Sequence, residues 1–497
     1  MRSEREKVRT GLVPCDARRR CFPGRAGALA AGFLLPVVLL VLASSHARGD
    51  EAGDEATRAG EPFVNAVSHG ETTAASGAVD GGPPPAAQDG RDRAREGFTW
   101  RWYWDQGVRY DLEVPFDEYW VGPDRAPLSG YEIQQRLAFV GRIGGIIQVD
   151  AAAYDESRGL DGAESGVELR RFRFGTRGDF YVLGHVAYAF DLELVSQDLQ
   201  VGDAYLWWDG VPLVRTLKVG NFTPPLSLES VTAARDTVFM ENSLPVQAFA
   251  PGRSAGIQLG GSELSQRLEW TLGAFRTLET PTVGDQSKAG ARLTGRVTGL
   301  VQDDVAARQL THVGLSGSFL LAAEDVRYRS RPESHIAPTF VDTGVLRSAD
   351  NSVIAGLELA HVRGPWLGTG EVLLASVRGD GDETLWGGYA SLSRFLADVT
   401  QPYNRSTGTL GRFETPRPFS LAARRFGTLR VAGRVSYLDL SDGRVAGGRE
   451  TNLTADLTWF LNHYLSIDVE YGFAAVRDRP DGGNLSFVQT RLQIDFF

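Results

Sequence analysis

Leu453-Thr454-Ala455-Asp456-Leu457-Thr458-Trp459-Phe460-Leu461 is followed, three residues later, by Leu465-Ser466-Ile467-Asp468-Val469-Glu470-Tyr471-Gly472-Phe473. In both stretches every second residue is apolar. Leu453, Ala455, Leu457, Trp459 and Leu461 alternate with Thr454, Asp456 and Thr458. Leu465, Ile467, Val469, Tyr471 and Phe473 alternate with Ser466, Asp468, Glu470 and Gly472. A period of two is the period of a strand, with one apolar and one polar face. Each run is about the 9–11 residues that a tilted strand needs to cross a bilayer. Strands of soluble sandwiches are usually nearer five or six residues.

The same pattern recurs upstream. Val186, Tyr188, Phe190, Leu192 and Leu194 alternate with Ala187, Ala189, Asp191 and Glu193. Short turns such as Asp442-Gly443 and Asp481-Gly482-Gly483 join several of the runs. From Gly141 to Phe497 the pattern fits sixteen or seventeen strands. Bacterial barrels use even numbers, so the expected fold is all-β: a transmembrane antiparallel β-barrel of about 16 strands, with 18 as the alternative. The chain ends in Phe496-Phe497, a terminal aromatic strand of the kind that barrels carry, although Val488, Leu492, Ile494 and Phe496 run one residue out of phase with Phe497.

The rest of the chain divides accordingly. Arg18, Arg19, Arg20 and Arg25 precede an apolar stretch, 26–42, and Ser45-His46-Ala47 resembles a small-residue cleavage site. Residues 1–47 are read as a signal peptide, with a membrane anchor as the alternative. Residues 48–97 form a linker rich in Gly, Ala, Pro and acids, with too little apolar surface to fold. It is expected to be a disordered tail in the periplasm. Residues 98–140, opening with Trp100, Trp102, Tyr103 and Trp104, form an aromatic-rich periplasmic lead-in, and 141–497 the barrel.

Both cysteines, Cys15 and Cys21, fall in the signal segment, so the mature chain has no disulfide and no Cys-ligated metal. Cleavage removes eight basic and three acidic residues from 52 and 62, leaving 44 against 59 and a net charge of −15. Such a chain is a poor nucleic-acid partner. The seven histidines lack metal-ligand spacing, and no nucleophile elbow or phosphate loop occurs. No metal, cofactor or enzymatic activity is expected.

Several blocks resemble the phosphate-selective porin O and P family. They are Arg170-Arg171-Phe172-Arg173-Phe174, Val219 through Glu229, and Phe239-Met240-Glu241-Asn242 with Ala250 through Gly256. Further along come Tyr389 through Phe395, Tyr403, Gly411-Arg412-Phe413, Pro416, Ala422–Arg424, Tyr437-Leu438-Asp439-Leu440 and Trp459–Asn462. They occur in family order. The resemblance implies a sixteen-stranded homotrimeric barrel in the outer membrane, with one loop folded inward to constrict the pore. By position that loop is 223–253, containing Pro224, Glu229 and Glu241; an ordinary extracellular loop is the alternative. Pro224 and Pro225 lack backbone donors and suit a break from the sheet.

Alternation then selects lumen cations, which set channel selectivity. Arg171, Arg173 and Arg177 lie opposite Phe172 and Phe174. Arg292 and Arg296 lie opposite Leu293 and Val297, Arg430 and Arg434 opposite Val431 and Val435, and Lys218 opposite Leu217 and Val219. Arg235 and Arg253, within 223–253, complete the pore-lining and anion-binding candidates. Neighbouring positions on one face are about 7 Å apart, and arginine pairs well with phosphate-like oxyanions. Asp191, Glu193, Asp456, Asp468 and Glu470 take the same polar face. A lumen of mixed charge is the competing expectation. After cleavage only Lys218 and Lys288 remain as lysines, fewer than the family's anion-selective members use. The expected function is passive diffusion of small hydrophilic or anionic solutes. The alternative is a non-transporting barrel, an adhesin or structural protein.

Overall fold

The computed structural model describes residues 99–104, 108–114, 137–155, 159–160, 162–181, 185–195, 198–276, 288–347, 349–379 and 381–496. The signal segment and the linker lie outside them.

Two short strands come first, β1 (Thr99–Trp104) and β2 (Val108–Val114). Nine longer ones follow: β3 (Leu137–Asp155), β4 (Gly166–Tyr181), β5 (His185–Val195), β6 (Asp198–Asp209), β7 (Thr216–Phe222), β8 (Ser254–Glu263), β9 (Leu268–Arg276), β10 (Lys288–Asp304) and β11 (Gln309–Val326). Three two-residue strands then interrupt the series, β12 (Arg329–Ser330), β13 (Val341–Asp342) and β14 (Leu346–Arg347). It resumes with β15 (Asn351–Arg363), β16 (Trp366–Arg378) and β17 (Glu383–Phe395). After β18 (Tyr403–Asn404) and β19 (Thr409–Leu410) come β20 (Thr428–Asp442), β21 (Val445–Phe460), β22 (Leu465–Arg477) and β23 (Asn484–Asp495).

Each long strand pairs antiparallel with the next, and β23 pairs with β3 from Ser486↔Asp155 to Asp495↔Ile146. The sheet therefore closes on itself with sixteen strands: β3–β11, β15–β17 and β20–β23. Closure removes the exposed edges that a spanning sheet cannot leave in lipid. Of the two expected strand counts, 16 is the one present.

The apolar face points outward. In β15, Ser352, Ile354, Glu358, Ala360 and Val362 are buried while Val353, Leu357 and Leu359 are exposed. Leu357 is 61% exposed and its neighbour Glu358 only 6%. A water-soluble sheet would have the reverse, so this surface requires lipid around it. The same inversion holds in β4, where Phe172 and Phe174 are exposed and Arg173 is buried, and in β21, where Leu453 and Leu457 are exposed and Thr454 and Asp456 are buried. In β23 exposed Val488 fixes the outward parity, which places Phe496 in phase with the lipid face. This accounts for the one-residue offset in the sequence.

The lead-in joins the same sheet. β1 and β2 form a hairpin, and β2 pairs with the first half of β3 from Val108↔Ile143 to Val114↔Leu137. β23 stops just short of that point, where the Phe496 amide donates to the Gly145 carbonyl at 3.0 Å. Gly145 allows this junction: a Cβ there would stand 2.2 Å from the Arg173 carbonyl oxygen and 2.6 Å from the Phe496 ring.

The end carrying the C-terminus has the short connections 210–215, 264–267, 305–308, 364–365 and 461–464. The other end has the long ones 223–253 and 327–350. Short turns are periplasmic and long loops extracellular in such barrels. Segment 396–427, between β17 and β20, breaks this pattern as a long connection at the periplasmic end.

Candidate pore and its lining

Segment 223–253 begins where Pro224 and Pro225 cannot donate to the ladder beyond Phe222. It then turns inward. Leu226, Leu228, Leu244, Val246 and Phe249 are all buried. It contains two short helices, α1 (Leu228–Val231) and α2 (Leu244–Phe249), the second with Pro at its first turn. The loop expected to constrict the lumen is thus the loop that enters it.

Barrel-wall side chains hold it there by its backbone. Glu371 accepts from the amides of Leu228 at 3.1 Å and Glu229 at 2.8 Å, donors that open a helix and have no partner within it. Glu470 accepts from the Met240 amide at 2.7 Å, and Arg430 donates to the Val238 carbonyl at 2.8 Å. The loop's own carboxylates complete the attachment. Glu229 meets Arg434 at 2.9 Å and the Ser243 amide at 2.8 Å. Glu241 meets Arg170 at 2.7 Å and Arg491 at 2.8 Å, and Arg491 meets Asp150 at 2.7 Å. Burial works against the Glu241 carboxylate, but Arg170 and Arg491 overcome it and hold its pKa well below the usual carboxylate range.

Two other segments share the interior. Segment 327–350 brings Tyr328, Phe340 and Val341 into the core that α2 occupies. Its Glu333 reaches the opposite wall, bonding Arg434 at 2.8 Å and Thr454 at 2.7 Å, and Ser436 as well. Segment 396–427 enters from the periplasmic end. Arg296 donates to the Gly408 carbonyl at 2.7 Å and pairs with Glu358 at 2.7 Å. His312 bridges the Tyr403 hydroxyl and Glu358. Leu410 packs with Leu228, Val238 and Phe239, so loops from the two ends meet inside the barrel.

The wall from β4 to β8 carries further candidate cations. Arg171 bonds Glu193 at 2.6 Å and Gln148 at 2.9 Å. Arg173 bonds the other Glu193 oxygen at 2.6 Å, and Arg177 bonds Asp191 at 2.7 Å. Arg253, the last residue of the inward loop, bonds Asp203 at 2.8 Å. Lys218 carries its ammonium 3.7 Å from the Tyr205 ring centroid and 4.3 Å from that of Phe222. Near the periplasmic mouth Arg235 lies 3.7 Å from both Asp236 and Asp495. Burial pushes the Asp236 carboxyl up to about 6, Arg235 opposing and Asp495 adding to the shift.

Residues 142–496 match a family model described as phosphate-selective porin O and P. The chain belongs to that family. A protein of Caulobacter vibrioides described as uncharacterised is 30% identical over 379 residues, covering 71% of this chain and 73% of that protein. Solved structures similar to it include the outer membrane channel DcaP of Acinetobacter baumannii (12% identity, 72% of this chain and 97% of that one, TM-score 0.45). Another is the anion-selective porin from Comamonas acidovorans (12% identity, 71% and 99%, TM-score 0.44). With its closed barrel and outward apolar face, this member of the porin family is an outer-membrane channel for small solutes.

Within this porin the candidate cations separate into two sets. Arg171, Arg173, Arg177, Lys218 and Arg253 come together on one wall. Arg292, bonded to Ser318 at 3.1 Å, Arg296, Arg430 and Arg434 lie under the inward segments. The Arg434 side chain is 0% exposed, against 31% for Arg253 and 26% for Arg177. Exposure of this size decides which arginines a solute can reach. Strict alternation also missed Arg170. A register shift between Gln148 and Val149 sets Leu169 and Arg171 against consecutive partners, so Arg170 is the extra residue of a bulge and turns inward with Arg171. Arg142, opposite Arg177 in the β3–β4 ladder, was missed because β3 reads weakly as a strand at its Gly-rich centre.

Proposed function

We propose that the channel prefers anions and passes small oxyanions along the wall from β4 to β8. One observation carries this reading. On that wall Arg171, Arg173, Arg177, Lys218 and Arg253 stand among three carboxylates, Asp191, Glu193 and Asp203. Five cations against the three acids among them leave a local excess of positive charge in this cluster, in a chain whose total is −10. Each guanidinium has five N–H donors in a fixed fork, and its carboxylate takes one or two of them. A passing oxyanion bonds the remainder without breaking the ion pair, and moves on to the next arginine about 7 Å away along the strand. The carboxylates keep binding weak enough for release, which conduction requires. The mixed lumen and the basic lumen are then one arrangement.

Lipid on the outer face, three copies per assembly and residues 48–97 in the periplasm complete the proposed setting. Swelling of proteoliposomes tests the transport reading. Swelling in arabinose and faster swelling in potassium phosphate are expected. No swelling in either would return the chain to the adhesin or structural reading, and swelling in arabinose alone would remove the oxyanions.

A further inference from the structure

Most arginines inside the barrel are bonded to a carboxylate or a carbonyl. Four on its outer surface, Arg363, Arg394, Arg424 and Arg425, have no ion pair among the described residues, and they lie at the same end of neighbouring strands. Arg363 ends β15 and Arg394 is next to last in β17. Both are exposed, with Val362 and Phe395 beside them buried, so alternation puts the arginines on the lipid side. Trp366 is the register partner of both, is 42% exposed, and lies 5.1 Å from the Arg394 guanidinium carbon.

The neighbouring stretch comes from segment 396–427. After dipping into the lumen at 403–410 the chain returns to the outer surface. There the Trp459 indole donates to the Phe426 carbonyl at 2.6 Å, and Phe419 stands edge-on to Trp459 at 5.6 Å. The turn 420–425 presents Arg424 and Arg425, flanked by Leu421 and Phe426 at 79% and 73% exposure. β15, β16, β17, β20 and β21 are consecutive neighbours in the barrel. The residues therefore form one band at the end with the short turns. The nearby acid Asp398 is already held by Arg308 at 2.6 Å.

An unpaired arginine at the edge of a lipid-facing band is stable where phosphates lie, and aromatic side chains favour the same depth. We propose that this rim binds anionic phospholipids of the periplasmic leaflet, their phosphates held along the row of four arginines and the apolar part lying along Leu421 and Phe426. Charge complementarity selects this occupant. Each arginine near an anionic surface contributes on the order of 1 kcal/mol, about a fivefold change in binding.

Native mass spectrometry of the protein purified from outer membranes, in detergent with equimolar phosphatidylglycerol and phosphatidylcholine, tests this. The expected result is preferential retention of phosphatidylglycerol. The variant with Arg363→Gln, Arg394→Gln, Arg424→Gln and Arg425→Gln should lose that preference by roughly fivefold or more. Arg449→Gln, on the opposite rim, should keep it. Heat-modifiable mobility reports that each variant is folded. Leu421→Ser with Phe426→Ser should lower retention of both lipids without changing their ratio. Equal retention by the unaltered protein, or an unchanged ratio in the fourfold variant, overturns the proposal. So does displacement of the lipid by an equal concentration of soluble glycerol phosphate, which would assign the arginines to free phosphate. Dissociation of the assembly in the fourfold variant with no lipid bound would make the rim a subunit contact instead.

Discussion

Arg171, Arg173, Arg177 and Arg253 differ from Arg430 and Arg434 in what surrounds them, not in their chemistry. Side-chain exposure is 31% at Arg253, 26% at Arg177, 13% at Arg171 and 9% at Arg173, against 0% at Arg434, which the inward loop covers. Neutralising one of these arginines removes a charge about 7 Å from an ion held at its neighbour, worth about 0.6 kcal/mol in water, or near threefold. Arg171→Gln, Arg173→Gln and Arg253→Gln should each lower the anion-over-cation permeability ratio by about that factor. Reversal potentials across a salt gradient measure it. Asp236 adds a pH dependence. Its folded-state pKa, about 6, lies above the usual carboxylate value, so the group loses its negative charge as pH falls through 6. Arg235 and Arg412 on one side and Asp495 on the other face it. Anion preference should rise between pH 7 and pH 5, and Asp236→Asn should abolish that rise. For stability the same shift acts between the two pKa values: the fold loses stability as pH rises from the unfolded value of about 3.9 to about 6, and the loss is complete above 6.

At the scale of elements, the inward loop is a rigid insert rather than a flap, because wall carboxylates bind its amides and wall arginines bind its carbonyls and acids. Arg434→Ala leaves Glu229 and Glu333 buried without their cation, a change that costs about 3–5 kcal/mol. Denaturant unfolding in detergent should show that loss, and single-channel conductance should rise as the loop loosens. Replacing 400–411 by a short Gly-Ser turn should also raise conductance, since it removes the periplasmic segment from between Arg296 and Leu228. Unchanged conductance there would place the ion path wholly on the β4 side. The strands were legible because a two-residue period in stretches of about ten residues has few other readings. Segment 223–253 was legible through its paired prolines and through family order. Segments 327–350 and 396–427 were not. Their burial comes from contacts such as Glu333 with Arg434, 101 residues apart, and Arg296 with the Gly408 carbonyl, 112 residues apart. No local pattern records them. The face of Arg170 was hidden for a related reason, since a bulge changes parity without changing composition.

For the whole molecule, the barrel presents apolar side chains to lipid and stores its charge inside, so the net of −10 says little about what the lumen attracts. Charge is partitioned by face: pairing neutralises most of the interior, and the cluster of Arg171, Arg173, Arg177, Lys218 and Arg253 outnumbers the Asp191, Glu193 and Asp203 carboxylates among it. Three copies per assembly are predicted, and sedimentation in detergent should give three times the mass of one mature chain. The most direct test of the central claim is single-channel recording in a planar bilayer across a tenfold KCl gradient. The account predicts discrete openings with a reversal potential of the sign set by chloride, moved toward zero in the Arg171→Gln, Arg173→Gln, Arg253→Gln triple variant. A reversal potential set by potassium would contradict it, as would one that the triple variant leaves unchanged.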